Sequence, residues 1–360
     1  YAGDHTIKAG FEIQQNDIQE STTANLLQDN LSGLFKLSAK FTPSYKTHIA
    51  YAAFAKASDI AENNDRTSNF GSTINDFNEK DTKKPFSLEQ SLAMYYSINK
   101  KNVLSFESYS MIKKQVPNYS LQTNEQPLAN ILPLSINSNY FVEQKKSIYS
   151  NLLQAELNEY FIINKLNHIN FTIGINSNNQ TLQSQINTIK NDELVALNDT
   201  EFTNDVSYQL NNYYGGVHFK SKLGKLILSP GVNVNYYQVN DTQNGMKTDN
   251  NKMLLLPDFY AKYAFGSSES ITVNYQMNAS YTDIQNAALG GIVRNYNSYF
   301  IGNNSLSNVI YHDINLNYFN YNMFNHTNIF VAINYQKKHD EINESISYES
   351  TNRISTPNNV

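Results

Sequence analysis

His168-Ile169-Asn170-Phe171-Thr172-Ile173-Gly174-Ile175-Asn176 alternates apolar and polar side chains from end to end. Successive Cβ atoms of an extended strand point to opposite sides, so Ile169, Phe171, Ile173 and Ile175 share one face and Asn170, Thr172 and Gly174 the other. The pattern recurs from Ser270 to Tyr281, where Ile271, Val273, Tyr275, Met277, Ala279 and Tyr281 oppose Thr272, Asn274, Gln276, Asn278 and Ser280. It recurs again from Asn328 to Gln336, with Ile329, Val331, Ile333 and Tyr335 on one face. Strands of this kind suit a wall with oil on one side and water on the other.

Working outward, two kinds of connection take turns. Short ones fall at Ser44 to Thr47, Asn99 to Asn102, Asn164 to Asn167, Leu223 to Lys225, Gly266 to Glu269 and Met323 to His326. Long polar ones are expected at Asn16 to Asn30, Asp59 to Lys84, Lys114 to Asn139, Asn178 to Val206, Asn240 to Asn251 and Thr282 to Asn308. Bacterial outer-membrane barrels place short turns on the periplasmic side and long loops outside. The strands also exceed the ~5 to 6 residues of ordinary sheets and match the ~9 to 11 needed to cross a bilayer obliquely. The fold expected is therefore all-β, an antiparallel transmembrane β-barrel contributing about 13 to 14 strands, with residues 1–360 as a single domain.

Composition supports the same reading. Only 16% of the 360 residues are charged, against ~25% in soluble domains. Asn, Ser, Thr and Gln carry the polarity, while 26 Tyr and 19 Phe supply the aromatic content without any Trp. A net charge of −5 and the lack of a basic stripe argue against nucleic acid as a partner. The absence of cysteine removes disulfides, thiolate metal sites and cysteine nucleophiles together. No apolar run approaches the ~18 residues of a membrane helix, so any crossing must be made by strands.

Alternation assigns faces. Ile173, Val273 and Val331 should meet lipid, and Thr172, Asn274 and Ala332 the lumen. Glu156, His218, Lys220, Asp258, Lys262, Asp313 and Asn315 lie at polar positions and belong to a wet or plugged lumen. Tyr236, Phe265, Tyr281, Tyr318 and Tyr335 sit near strand ends, where an aromatic girdle would be; β-propensity alone also accounts for any one of them. Histidines such as His48, His168, His312 and His339 show no metal-ligand spacing, and Asp241 to Asn251 lacks the order of a calcium loop. Without a G-x-S-x-G elbow no hydrolase is expected, and no cofactor or metal. Ligand contacts are expected in the loops Asn178 to Val206 and Thr282 to Asn308, since binding concentrates on loops carried by a rigid scaffold.

One segment goes beyond pattern. Arg294 to Leu306 reads R-N-Y-N-S-Y-F-I-G-N-N-S-L and leads into a strand at Val309 to Tyr321. It resembles the G-N-x-x-L element of TonB-dependent receptors, with Gly302, Asn303 and Leu306 at the matching positions; the proline that often flanks the leucine is absent. The opening His5 to Glu12 also resembles an internal barrel strand of these receptors. The resemblance implies a barrel of about twenty-two strands around an N-terminal plug, in the outer membrane of a Gram-negative bacterium. It further implies import of a scarce small-molecule, glycan or peptide ligand, such as an iron chelate or a vitamin, with energy from the TonB complex. The TonB contact would be made by an N-terminal region outside this sequence, and outer-membrane lipid would surround the wall. A passive porin or a structural surface barrel is the alternative; a soluble all-β repeat or sandwich protein is a third, separated by whether detergent is needed for extraction.

The ends carry a further expectation. A strand pattern starts near His5 without a signal peptide, and Thr356 to Val360 reads as a polar loop where a barrel should close on a strand. Continuation on both sides is therefore expected, with a signal peptide and plug before Tyr1 and more strands after Val360.

Overall fold

A computed structural model describes residues 2–15, 18–70, 73–190, 192–324, 326–349 and 351–360. Asn16 and Asp17 of the first expected loop, Gly71 and Ser72 of the second, Asn191 of the fourth and Asn325 of the last short turn lie outside the described residues. The first strands are β1 (Ala2–Gln15), β2 (Ile18–Ser44), β3 (Thr47–Phe70), β4 (Thr73–Lys83), β5 (Phe86–Ser97), β6 (Asn102–Gln115) and β7 (Asn118–Thr123). Next come β8 (Tyr140–Ile162), β9 (Asn167–Lys190), β10 (Glu193–Ala196), β11 (Thr203–Leu223), β12 (Leu226–Gln243), β13 (Met246–Ala264) and β14 (Glu269–Ser280). The one-turn helix α1 (Ile284–Ala287) precedes β15 (Ile292–Asn295), β16 (Ser298–Phe300), β17 (Val309–Asn322), β18 (Thr327–His339), β19 (Ile342–Glu349) and β20 (Asn352–Asn359).

Sixteen strands form one antiparallel sheet, and β15, β16, β20 and β19 form a second of four. Within the large sheet, β4 and β5 continue one another across Lys84-Pro85, as β6 and β7 do across Val116-Pro117. The pairs Thr82↔Asn118 and Phe86↔Lys114 keep a single register through both gaps. Proline has no N–H to donate, so the ladder loses a rung at each site without slipping. Counted as staves, with β10 a short flap on β9, the wall has thirteen among the described residues, in line with the expectation of about 13 to 14.

Cross-strand partners share a face, so register tests the expected orientation. Thr172, Gly216, Asn233 and Leu256 form one inner row, and Ile173, Gly215, Val234 and Leu255 the outer row beside it. Val273 pairs with Ala261 and Leu316, and Val331 with Tyr318, all outward; Asn274 and Ala332 pair with inward Asn315 and Asn317. Ile173 is 62% exposed, whereas Thr172 is buried. On β12 the outward positions run Leu226, Leu228, Pro230, Val232, Val234 and Tyr236, a length that matches an oblique bilayer crossing of ~9 to 11 residues. Glu159 interrupts the outer face of β8, across from Leu104 and Phe171.

The outer face turns polar above Ile175, Tyr213, Tyr236 and Met253. Ser177, Asn179 and Thr181 follow on β9, Asn211 and Gln209 on β11, Gln238 and Asn240 on β12, and Asn251 and Asp249 on β13. The inner face does the reverse and becomes apolar, through Leu182, Ile186, Val206 and Tyr208. The wall thus rises beyond the lipid and there packs inward, like a soluble domain turned around its own inside.

Several expected loops are corrected by this upper tier. Asn16 to Asn30, Asp59 to Lys84, Asn178 to Val206 and Asn240 to Asn251 are mostly strand, arms of tall hairpins such as β3–β4 and β12–β13. Polar residues on both faces resemble a loop, but above the lipid a strand needs no greasy outer face. Only residues 124–139 of Lys114 to Asn139 form an extended connection. Thr356 to Val360 is likewise no loop: it belongs largely to β20, which pairs with β19 and, in parallel, with β16. Tyr281 does not join an outer girdle, because its ring packs 4.8 Å from that of the inward Tyr237.

The short connections lie where expected. At the tall end, Asn244 (φ 49°) and Gly245 (φ 83°) both take positive φ, the conformation of a two-residue hairpin turn that favours Asn-Gly. Trypsin applied to intact cells should cut after the exposed Lys247 and spare Lys225 in the short turn at Gly224. Cleavage at Lys225 with Lys247 protected, read by mass spectrometry, would reverse this orientation.

Candidate functional site

Residues 282–308 do not project outward. They fold against the inner face of the upper wall, over a polar chamber at belt level. Ile284, Ala288, Ile292 and Phe300 pack with Leu182, Val206 and Tyr208 of the wall. Val293 and Tyr299 join a second cluster with Leu121, Val142, Ile186, Phe202 and, from residues 124–139, Leu128 and Leu132. Each large side chain so buried contributes ~1.5 to 3 kcal/mol.

A peptide segment pressed onto an apolar wall must still satisfy its backbone. Three wall amides do this, each at two points. Gln243 Nε2 donates to Ala287 O at 2.8 Å while its Oε1 accepts from Leu289 N at 3.0 Å. Asn204 Nδ2 donates to Gly290 O at 2.9 Å and its Oδ1 accepts from Gly290 N at 2.8 Å. Gln144 Nε2 donates to Gly291 O at 3.2 Å and its Oε1 accepts from Val293 N at 3.0 Å. Gln180 Oε1 adds a bond from Ile284 N at 3.0 Å. Gln144, Asn204 and Gln243 are buried, so these bonds face little competition from water. No sequence signal marked them, since an amide at an inward position looks like any other lumen residue.

The second sheet locks the segment from the other side. Arg294 reaches both carboxylate oxygens of Glu344 at 3.0 and 2.8 Å, and its guanidinium lies 4.1 Å from the centre of the Phe300 ring. Buried Glu79 accepts from Tyr119 OH at 2.6 Å and from Tyr296 N at 3.0 Å. Gly302 donates its N–H to Ala288 O at 2.9 Å, and a Cβ there would stand 2.3 Å from that oxygen, so only glycine fits. Asn303 Oδ1 accepts from Ser305 N at 3.0 Å, and its Nδ2 donates to Pro357 O at 3.1 Å. Leu306 is half-buried.

The hydrogen bonds from Arg294 hold the Glu344 carboxyl below the usual glutamate range. A depressed folded pKa stabilises fully above the unfolded value, about 4.3, and the contribution disappears as pH falls through the lower folded value. Acidification through that window should therefore lower the protection of amides in residues 342–349 and 352–359 once exchange is corrected for its intrinsic pH dependence, and Glu344→Gln should remove that loss. Retention of the loss in Glu344→Gln would assign it elsewhere.

Beneath this cap lies a chamber of about 480 Å³. The structure brings Glu156, His218 and Asp258 of the expected lumen residues into its lining; Lys220, Lys262, Asp313 and Asn315 face the same side but do not line it. Glu156 accepts from Asn158 Nδ2 at 2.6 Å and from Tyr214 OH at 2.8 Å. His218 Nε2 and Asp258 Oδ2 are 2.8 Å apart. Thr172 Oγ1 donates to Asn158 Oδ1 at 2.6 Å. Gly174 leaves room for the Tyr214 ring, which a Cβ would meet at 2.3 Å, so a residue read as one polar step of a strand is a seat for an aromatic.

An apolar belt on strands of crossing length, a polar inner face and a tier of tall hairpins define an outer-membrane barrel wall. The family described as "Outer membrane protein beta-barrel family" matches residues 118–360. The chain belongs to that family. Its place is accordingly the outer membrane of a Gram-negative bacterium. No curated protein matches the sequence of this outer-membrane barrel. Among solved structures, the copper transporter OprC superposes with a TM-score of 0.52 at 9% identity, over 100% of this chain and 55% of that one. The ferric-catecholate import receptor Fiu from K12 E. coli gives 0.47 at 8% identity, over 98% and 58%. The siderophore receptor PiuA from Acinetobacter baumannii gives 0.47 at 10% identity, over 98% and 58%. The chain spans a little over half the length of these structures, and the likeness to OprC is one of fold.

Proposed function

We propose that this barrel is the wall of a TonB-dependent receptor that captures a scarce nutrient outside the cell and admits it through the lumen with energy from the TonB complex. The observation that carries the reading is the clamped cap. A passive pore works by leaving its mouth open to diffusion, whereas here residues 282–308 are pinned across the inner face of the wall by six hydrogen bonds from Gln144, Asn204 and Gln243. Gly302, Asn303 and Leu306, at the G-N-x-x-L positions, all belong to that cap, which fits their proposed role as a family element. Ligand is proposed to meet the outer hairpins between β9 and β11 first. No catalytic step belongs to this reading.

The test uses the full-length protein purified in detergent. It should bind the periplasmic domain of TonB and should conduct negligibly in planar bilayers bathed in potassium chloride. Steady open conductance without TonB binding would replace the receptor by the porin.

A further inference from the structure

We infer that the chamber beneath the cap is a binding site for a neutral, polyhydroxylated solute, of the size of a short oligosaccharide. The inference deepens the import reading and rests on it for the use made of the site, but its chemistry comes from the lining alone. The volume, about 480 Å³, falls within the ~300 to 1,000 Å³ of small-ligand sites. Its polar groups are mainly amides and hydroxyls, and neither lysine nor arginine is present among the described lining residues.

Charge decides the class. Glu156 and Asp258 are the acidic groups of the lining, and each is engaged by uncharged or histidine donors rather than by a fixed cation. An anionic chelate entering here would meet two carboxylates and no permanent positive charge. A neutral solute meets no such repulsion.

Unfilled hydrogen-bonding capacity then says what the solute must bring. Asn212 is only 8% exposed and lends its Nδ2 to Asn235 at 3.1 Å, yet its Oδ1 has no partner, and neither has Asn170 Oδ1 or His218 Nδ1. A buried acceptor without a donor is costly, so a ligand carrying many O–H groups gains at each. A carboxylate or amide can also take two neighbouring hydroxyls at once, as its paired lone pairs allow. The Tyr214 and Tyr311 side chains line the same space, and an aromatic face suits the C–H side of a sugar ring.

The experiment is calorimetric binding to the detergent-purified full-length protein. The probes are maltotriose, cellotriose, mannotriose and xylotriose, with trigalacturonate as an anionic counterpart of equal length. At least one neutral trisaccharide should bind, trigalacturonate should not, and Asn212→Leu should weaken binding by ~tenfold or more. Because Asn212 is buried, retention of the heat-modifiable barrel form on gels is checked first, and Gln276→Leu, at an exposed lining position, gives a second variant less exposed to misfolding. Binding of trigalacturonate as tight as that of the neutral sugars, no binding of any neutral probe, or affinity indifferent to both substitutions would overturn the assignment. Open conductance without TonB binding would remove the receptor reading and leave this result standing, so the two fail separately.

Discussion

Replacing Gln243 with alanine should release residues 284–293 from the wall and lower the stability of the cap by ~2 to 6 kcal/mol. The figure follows from two backbone groups, Ala287 O and Leu289 N, each losing its partner where water cannot readily replace it, at ~1 to 3 kcal/mol apiece. Gln243 Nε2 also donates to Asp241 Oδ2 at 2.7 Å. Burial raises the pKa of that carboxyl, so losing a donor that favours its charged form adds to the penalty. Gln243→Glu is the sharper variant: a carboxylate can still accept from Leu289 N, but it sets an oxygen against Ala287 O and against Asp241. Hydrogen exchange at the Leu289 amide is the direct reading, with acceleration expected in both variants. Asn204→Ala should act alike through Gly290, and because the two clamps grip neighbouring residues their effects should not add. An exchange rate unchanged in Gln243→Ala would mean that packing alone, through Ile284, Ala288 and Phe300, holds the segment.

The belt was legible in the sequence, whereas the tier above it was not, and the reason is the solvent on each side. At Ile169 to Ile175 or Ile271 to Ala279, one face meets hydrocarbon and the other water, so every residue reports its side. Above Ile175 the outward positions Ser177, Asn179 and Thr181 are polar because they meet water, and the contrast that marks a strand fades. Asp59 to Lys84 and Asn240 to Asn251 therefore read as loops although most of their described backbone is laddered.

The site was harder still to read. Glu156, His218 and Asp258 could be placed in the lumen by parity, but nothing local brings them to one chamber, which depends on register across five strands. The clamps of Gln144, Asn204 and Gln243 depend on contacts between residues far apart in the chain, such as Gln144 with Val293. Gly302 carries its reason in the Ala288 carbonyl that it approaches, which no sequence window contains. Thr282 to Asn308 reads as an outer loop in sequence but folds inward as the cap, held by wall residues distant in the chain.

Arginine at Val232 should cost ~2 to 4 kcal/mol of folding free energy in a bilayer, and arginine at Gln276 less than ~1 kcal/mol. Val232 stands near the middle of the outward run of β12, from Leu226 to Tyr236, with Val217 and Pro257 directly across from it on β11 and β13. A guanidinium there has hydrocarbon on every side, and its reach to either interface is limited by the greasy neighbours above and below, Val234 and Pro230. Gln276 differs by its face, not its depth: it pairs with Asp258 on one side and Asp313 on the other, so an arginine there is in the lumen beside two carboxylates. The measurement is the folded fraction in lipid vesicles across a urea series, read by heat-modifiable gel mobility for the full-length protein. If both variants fold equally well, the outward face of β12 is not in lipid, and the belt drawn from Leu226 to Tyr236 has been assigned to the wrong surroundings.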